Sequence, residues 1–403
     1  MEATSMDDRK RYNGMEKYLQ RVSGTYVSVP KHVKTKNNRI LKKVLEILIQ
    51  KMKNTDTRFN QLYQKLFFGG SYYDGLKVGT PDEYDIDLLL QFPSTHGIEI
   101  RTGKVPGYVN LYLKNITGFE KFCDIDEKGN LYLDTKKVLS WMESVITRAF
   151  EEFEKIDSWY ILGKREKLHV RYHKTDGPAF TLVIKVNDGK EMNVDLVPCF
   201  LFEGDKWPAG FKKYKKENGK ILYDFFVVPK HPKNVTVNIS KYWRLSFQIQ
   251  ERHFIHNKGR LKPTLKLLKK LRDAQQHKKL YSYFLKTVAL WEVLKNPEPF
   301  WIKNSLSFVF MHLLKECQKY LENEKILYFW TVAEFNLLET VKVDWSNISN
   351  RLRFIINKIE RNLPDNPDVI LEFILTPDEL AELYPKATFP TVEEEAGSSC
   401  ILL

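Results

Sequence analysis

The sequence predicts an α+β lobe with a mixed sheet, followed by a mostly helical lobe. Three observations carry this. One long amphipathic helix comes early. Short apolar runs broken by Gly, Pro and Asp turns fill much of residues 84–199, and after about residue 240 the apolar residues recur at helical spacing. The chain has 403 residues, 43% of them hydrophobic, enough for two or three lobes with buried cores. Residues 1–12 are expected to be disordered, 13–240 to form the α+β core, 241–388 the helical lobe and 389–403 an extended tail.

In chain order, Ile40, Leu41, Val44, Leu45, Leu48 and Met52 repeat at helical spacing and place a helix over 38–53, with Lys42, Lys43, Lys51 and Lys53 among or opposite them. A second helix is expected over 58–67, ending at Gly69-Gly70. Strands are expected at 84–92, 108–113, 180–186 and 192–199, with a helix at 136–153 between them. Turns such as "TDGP" and "NDGK" separate the pieces. Beyond residue 240, "LKPTLKLLKKLRDA", "YSYFLKTVALWEVLK", "WIKNSLSFVFMHLLKECQKYLEN" and "NISNRLRFIINKIERNL" all carry the helical period.

The net charge of +13 suits a polyanionic partner as well as simple solubility. Cys123, Cys199, Cys317 and Cys400 lie far apart, with no CxxC pair and no disulfide framework. No stretch approaches about 18 uninterrupted apolar residues, and "MEATSMDDRK" lacks a hydrophobic signal region, so a cytoplasmic protein with reduced thiols is expected.

The chemistry concentrates in "GGSYYDGLKVGTPDEYDIDLLL", residues 69–90. Side chains two apart in a strand share a face, so Glu83, Asp85 and Asp87 project together. Like charges side by side cost stability. Either they line a solvated edge, or a divalent cation such as Mg²⁺ offsets the cost. Asp195 sits between Val194 and Leu196 in an apolar run, an expensive place for an unpaired acid. Gly69, Gly70 and Ser71 can offer N–H groups and a hydroxyl to a phosphate.

The glycine-serine turn, the later E-x-D and a distant strand Asp together resemble the polymerase-β type of nucleotidyltransferase. More narrowly, "GGSYYDGLKVGTPDEYDIDLLLQFP", "VDLVPCF", "WRLSF", "LKLLKKL" and "YSYFLKT" resemble the cyclic GMP-AMP synthase-like receptors over about residues 37–385. The resemblance implies a nucleotidyltransferase lobe in which Glu83, Asp85 and Asp195 hold Mg²⁺ or Mn²⁺ in a two-metal site, Asp195 also helping to deprotonate a ribose hydroxyl. It places Asp87 outside the metal-binding pair, as a supporting or solvated group. Gly70 and Ser71 would hold phosphates, and Arg244, Ser246 and Glu251 would meet the acceptor nucleotide. Lys266 and Lys269 would touch phosphate, while Ser282, Tyr283 and Lys286 hold the donor, with Tyr283 stacked on a base. On the residues alone, the better reading is Tyr283 as core, Arg244 as structural, and Lys266 and Lys269 as a solvated helix face. ATP and GTP would be joined to a linear dinucleotide and then closed into a cyclic one, as a messenger in innate antiviral defence. A catalytically silent binding protein of the same superfamily and a linear oligoadenylate-type synthase are the alternatives.

Two departures refine this. The family's prototype carries a one-His, three-Cys zinc insertion after the WRLSF segment; here "IHNKGRLKPTLKLLKK" has no cysteine, so no zinc is expected. Basic residues nonetheless cluster twice, at Lys31, Lys34, Lys36, Arg39, Lys42 and Lys43, and at Lys258, Arg260 and Lys262 with the lysines that follow. With little aromatic interleaving, this surface suits double-stranded RNA, as in the zinc-less insect relatives. The sequence closes on Cys400-Ile-Leu-Leu, a C-a-a-X pattern of the geranylgeranyl type. That lipid would bring the protein to a membrane surface, though Glu393, Glu394 and Glu395 stand where a polybasic run would strengthen it.

Overall fold

The computed structural model describes residues 10–103, 105–174, 177–186, 189–214, 224–233 and 235–384. Residues 1–9 and the whole of the expected tail, 389–403, Cys400 included, lie outside the described residues. Helix α1 (Glu16–Val22) precedes the long α2 (Lys31–Thr55), then α3 (Thr57–Leu62), β1 (Tyr63–Phe68), a short turn of helix α4 (Gly70–Tyr73) and β2 (Glu83–Leu90). Strands β3 (Ile98–Thr102), β4 (Tyr108–Leu113), β5 (Cys123–Ile125) and β6 (Leu131–Leu133) lead to helix α5 (Thr135–Glu151). Then come β7 (Glu154–Ile156), β8 (Trp159–Leu162), β9 (Leu168–Lys174), β10 (Phe180–Lys185), β11 (Glu191–Phe202), β12 (Phe225–Val228) and β13 (Trp243–Ser246).

β11 is the hub of the sheet. One edge pairs in parallel with β2; the other pairs antiparallel with β10 along its first half and with β12 along its second. Tyr84, Ile86, Leu88 and Leu90 of β2 point to one face and are fully buried in the main core. The same core takes Ile40, Leu41, Val44, Leu45, Leu48, Ile49 and Met52 from α2 and Val138, Met142, Val145 and Ile146 from α5. Asp134 caps α5 through the N–H groups of Lys136 and Lys137.

The helical lobe comprises α6 (Gln248–Ile255), α7 (Leu261–Ala274), α8 (Ser282–Lys295), α9 (Glu298–Lys303), α10 (Leu306–Glu322), α11 (Trp345–Asn362), α12 (Leu371–Ile374) and α13 (Pro377–Leu383). No helix among the described residues is long and apolar enough to cross a membrane.

The structure differs from the sequence reading in three places. The helix expected over 58–67 ends at Leu62, because Tyr63–Phe68 pairs as β1 with the free edge of β2. "WRLSF", assigned to the helical lobe, is largely strand β13 and belongs to the sheet, so the first lobe runs a few residues past 240. The chain is packed by Tyr12, whose hydroxyl bonds Glu360 Oε1 at 2.7 Å, so disorder does not extend through 10–12. Moreover, Glu16 accepts the N–H groups of Leu306 (3.2 Å) and Ser307 (2.7 Å) at the start of α10. The described part of the N-terminal segment therefore packs with the helical lobe.

Candidate active site

β2 and β11 run parallel in a register that sets Asp85 beside Asp195 and Glu83 beside Asn193. The same-face rule then brings Glu83, Asp85 and Asp195 together: one carboxylate oxygen of each lies within 4.8 Å of the others. Thr181, opposite Asp195 on β10, donates its hydroxyl to Asp195 Oδ1 at 2.5 Å. No Lys, Arg or His pairs with any of the three among the described residues. Burial, then the charges of Glu83 and Asp195, push Asp85 up to about 6. The nearby Lys77 charge, itself paired with Asp82, only partly opposes this rise, and three convergent oxygen ligands without an ion-pair partner of their own fit a hard divalent cation.

Asp87 is neither solvated nor part of that cluster. It is 5% exposed and accepts Gln248 Nε2 on Oδ2 at 3.1 Å and Cys199 Sγ on Oδ1 at 3.5 Å. Burial pushes it up to about 7.

The glycine turn lies against the strand. Gly69 N–H donates to Asp85 O at 3.0 Å. Gly70 has φ +68°, and a Cβ there would stand 1.7 Å from Asp85 Oδ2, so only glycine fits. The turn opens a cleft of about 350 Å³ between the lobes, lined by Gly70, Ser71, Asp85, Arg244, Ser246 and Lys269, among others.

Of the other residues singled out from sequence, Glu251, Ser282, Tyr283 and Lys286 also line the cleft, but several are already engaged. Glu251, 4% exposed, accepts Tyr283 Oη and Trp330 Nε1 at 3.0 Å and Lys286 Nζ at 2.6 Å. Lys286 Nζ also pairs with Asp74 at 3.2 Å, which Arg252 holds from its other side at 2.9 Å. Burial opposes the Lys286 charge, and the Glu251 and Asp74 carboxylates more than offset it, so its pKa stands above the ordinary lysine value. Glu251 and Lys286 thus lock the cleft wall rather than presenting free groups. Ser282 Oγ accepts Arg272 at 2.8 Å. Lys269 donates to Leu76 O at 2.7 Å, and burial, then the Arg272 charge, lower it to about 8.

Lys266 lies outside the cleft lining. Burial lowers its pKa, and so does Lys34 of α2, which places it with the basic surface instead. On that surface Lys31, Lys34, Lys36, Arg39 and Lys42 are exposed. Lys43 and Arg39 reach Glu166 at 2.6 and 3.3 Å. Lys262 lies over Gly75, with Nζ 3.8 Å from where a Cβ would stand; Arg260 donates to Asn304 O, and Lys258 is half-buried.

The sequence reading missed Asp74, Lys230, Gln248 and Tyr328, all of which line the cleft. Lys230 and Arg244 stand close together with no carboxylate paired to either among the described residues; burial, then Arg244, lowers Lys230. Asp74 follows directly on the GGSYY turn, which was its one available signal.

The family model for the Mab-21 protein nucleotidyltransferase domain matches residues 72–257, and that for the Mab-21 protein HhH/H2TH-like domain matches 260–360. The chain is similar to a cyclic GMP-AMP synthase-like receptor of Aethina tumida, 42% identical over 382 residues and covering 92% of this chain and 93% of the relative. A receptor so named from Tribolium castaneum is 35% identical, covering 96% and 100%. Cyclic GMP-AMP synthase-like receptor 3 of Stylophora pistillata is 28% identical, covering 86% and 96%.

Proposed function

The chain belongs to the Mab-21 nucleotidyltransferases and, within them, to the cyclic GMP-AMP synthase-like receptors, and from that premise we propose that it is a double-stranded RNA-activated synthase of a cyclic dinucleotide. ATP and GTP are its substrates and a cyclic GMP-AMP its product, a messenger in antiviral defence. The observation that carries this reading is the convergence of Glu83, Asp85 and Asp195, of which Asp85 lines the cleft beside an intact glycine turn.

Mg²⁺ or Mn²⁺, when bound, neutralises the carboxylates and the charge that develops on the transferring phosphoryl oxygens. Gly70 and Ser71 position a triphosphate over Asp85. Asp195 Oδ1 is taken by Thr181, so Oδ2 is the atom available for the ribose hydroxyl proton. Lys230 and Arg244, cleft cations with no carboxylate partner among the described residues, attract the phosphate of the acceptor. Tyr283, its hydroxyl tethered to Glu251, offers a ring face for a base. Each of two successive displacements forms one phosphodiester bond and releases pyrophosphate; in the second, the linear dinucleotide has turned over in the same cleft. Positioning and charge neutralisation supply the rate.

The activator docks on the exposed lysines of the first half of α2 together with Lys262 and Lys266, where closely spaced cations meet a phosphate backbone. The test is purified protein with labelled ATP and GTP, Mg²⁺ or Mn²⁺, and double-stranded RNA, double-stranded DNA or neither. A phosphatase-resistant product formed only with RNA, and lost in Asp195→Ala, supports the reading. Product with DNA alone moves the activator to DNA; a phosphatase-sensitive product indicates a linear synthase; no product favours a binding protein.

A further inference from the structure

We propose that Gln248 and Asp87 are positioning residues that clamp the Gly69–Gly70 turn against the catalytic strand, an inference that rests on the proposed nucleotidyl transfer. The turn is held from two sides. On one, Gly69 N–H bonds Asp85 O and Gly70 presses on the Asp85 carboxylate. On the other, Gly70 N–H donates to Gln248 Oε1 at 3.2 Å, and a Cβ on Gly69 would stand 2.4 Å from that same oxygen.

The Gln248 amide works only one way round. Its Nε2 donates to Asp87 Oδ2 at 3.1 Å and to Ser246 Oγ at 3.3 Å, which turns Oε1 towards Gly70 N–H. Flipped, the amide would set its N–H against Gly70 N–H and lose that bond, and its oxygen would repel Asp87 whenever that acid is ionised. Cys199 Sγ holds the other Asp87 oxygen. The order is therefore Cys199 to Asp87, Gln248 to Asp87, and Gly70 to Gln248, each arrow running from donor to acceptor. Asp87, two residues beyond Asp85 on the same face, thus orients the turn rather than holding a cation. This also accounts for a buried acid with no ion-pair partner among the described residues, Arg252 acting on it only as a nearby charge.

The arrangement makes a distinctive prediction. In Asp87→Asn with Gln248→Glu, the donor–acceptor order reverses across one contact: Asn Nδ2 donates to one Glu oxygen while the other still accepts Gly70 N–H. Gln248→Glu alone sets two carboxylates together and removes the donor. Gln248→Met keeps the length and removes all three bonds. The experiment measures the dissociation constant of a fluorescent, non-hydrolysable ATP analogue with Mg²⁺, the KM and kcat for ATP, and the melting temperature of each variant. Gln248→Met should weaken ATP binding and raise KM about tenfold, with kcat and melting temperature changed far less. Gln248→Glu should be weaker still, and the double variant should return to within about threefold of wild type. ATP affinity unchanged in Gln248→Met, or a double variant no better than Gln248→Glu, overturns the proposal. Because affinity is read without turnover, a wild-type protein that binds the analogue but makes no product counts against the proposed synthase and leaves the clamp tested.

Discussion

Two groups of carboxylates lie at the cleft and are treated in opposite ways. Asp74 and Glu251 are buried and fully compensated, sharing Lys286, with Arg252 on Asp74 and Tyr283 and Trp330 on Glu251. Glu83, Asp85 and Asp195 gather with no Lys, Arg or His ion-paired to them among the described residues; Lys77, paired with Asp82, acts on Asp85 only as a nearby charge. The first group joins the turn after the glycines to α6 and α8, and so fixes one lobe on the other. The second stores repulsion that a ligand relieves. The difference teaches that acids at this cleft are of two kinds: Asp74 and Glu251 are buried with their ion-pair partners built in, whereas Glu83, Asp85 and Asp195 stay exposed or half-exposed and have none among the described residues.

Removing a member of each group should break the comparison in opposite directions. Asp195→Asn should lower the rate of product formation by at least about 10³-fold while leaving the metal-free protein as stable or more so, since one like charge has gone; steady-state rates and metal-free melting curves check both. Lys286→Met should destabilise the fold by about 3 kcal/mol, because two buried carboxylates lose their shared partner. Denaturant unfolding measures it.

Acidity sharpens the contrast. Asp85 and Asp87 keep their protons to about pH 6 and 7, against about 3.9 in an unfolded chain. Between about pH 4 and 7 the native state therefore binds more protons than the unfolded one. Metal-free stability should fall through these groups as pH rises across that window. Mg²⁺ competes with the Asp85 proton, so its stabilising effect should be larger at pH 7.5 than at pH 5. Melting curves with and without Mg²⁺ at both values decide. The smallest effect belongs to the basic surface: Lys34→Ala or Lys266→Ala should each lower the slope of log affinity for double-stranded RNA against log salt by about 1, if each meets one phosphate.

How much of this was legible depended on whether the signal was local. β2 and β11 were readable because Tyr84, Ile86 and Leu88, and Val194 and Leu196, flank their acids with apolar residues, and the acids repeat every second position. The helix face of α2 was equally plain. β1 was not, since "YQKLFF" becomes a strand only by pairing with β2. Short edge strands such as β3 and β7 leave little apolar pattern to see. Glu16 caps a helix some 290 residues away, and Asp74, Glu251 and Lys286 meet from three distant segments; neither association has a spacing to betray it. Asp87 was visible as a third acid on the strand, but its partner Gln248 lies 161 residues on.

The central claim is that Glu83, Asp85 and Asp195 are left unpaired in order to hold a divalent cation. Titration of Mn²⁺ into wild-type protein and Asp195→Asn, followed by electron paramagnetic resonance, tests it without requiring turnover or an activator. The account predicts saturable Mn²⁺ binding by the wild type that is lost or greatly weakened in the variant. Equal binding by both proteins, or none by the wild type at concentrations on the order of millimolar, would contradict it.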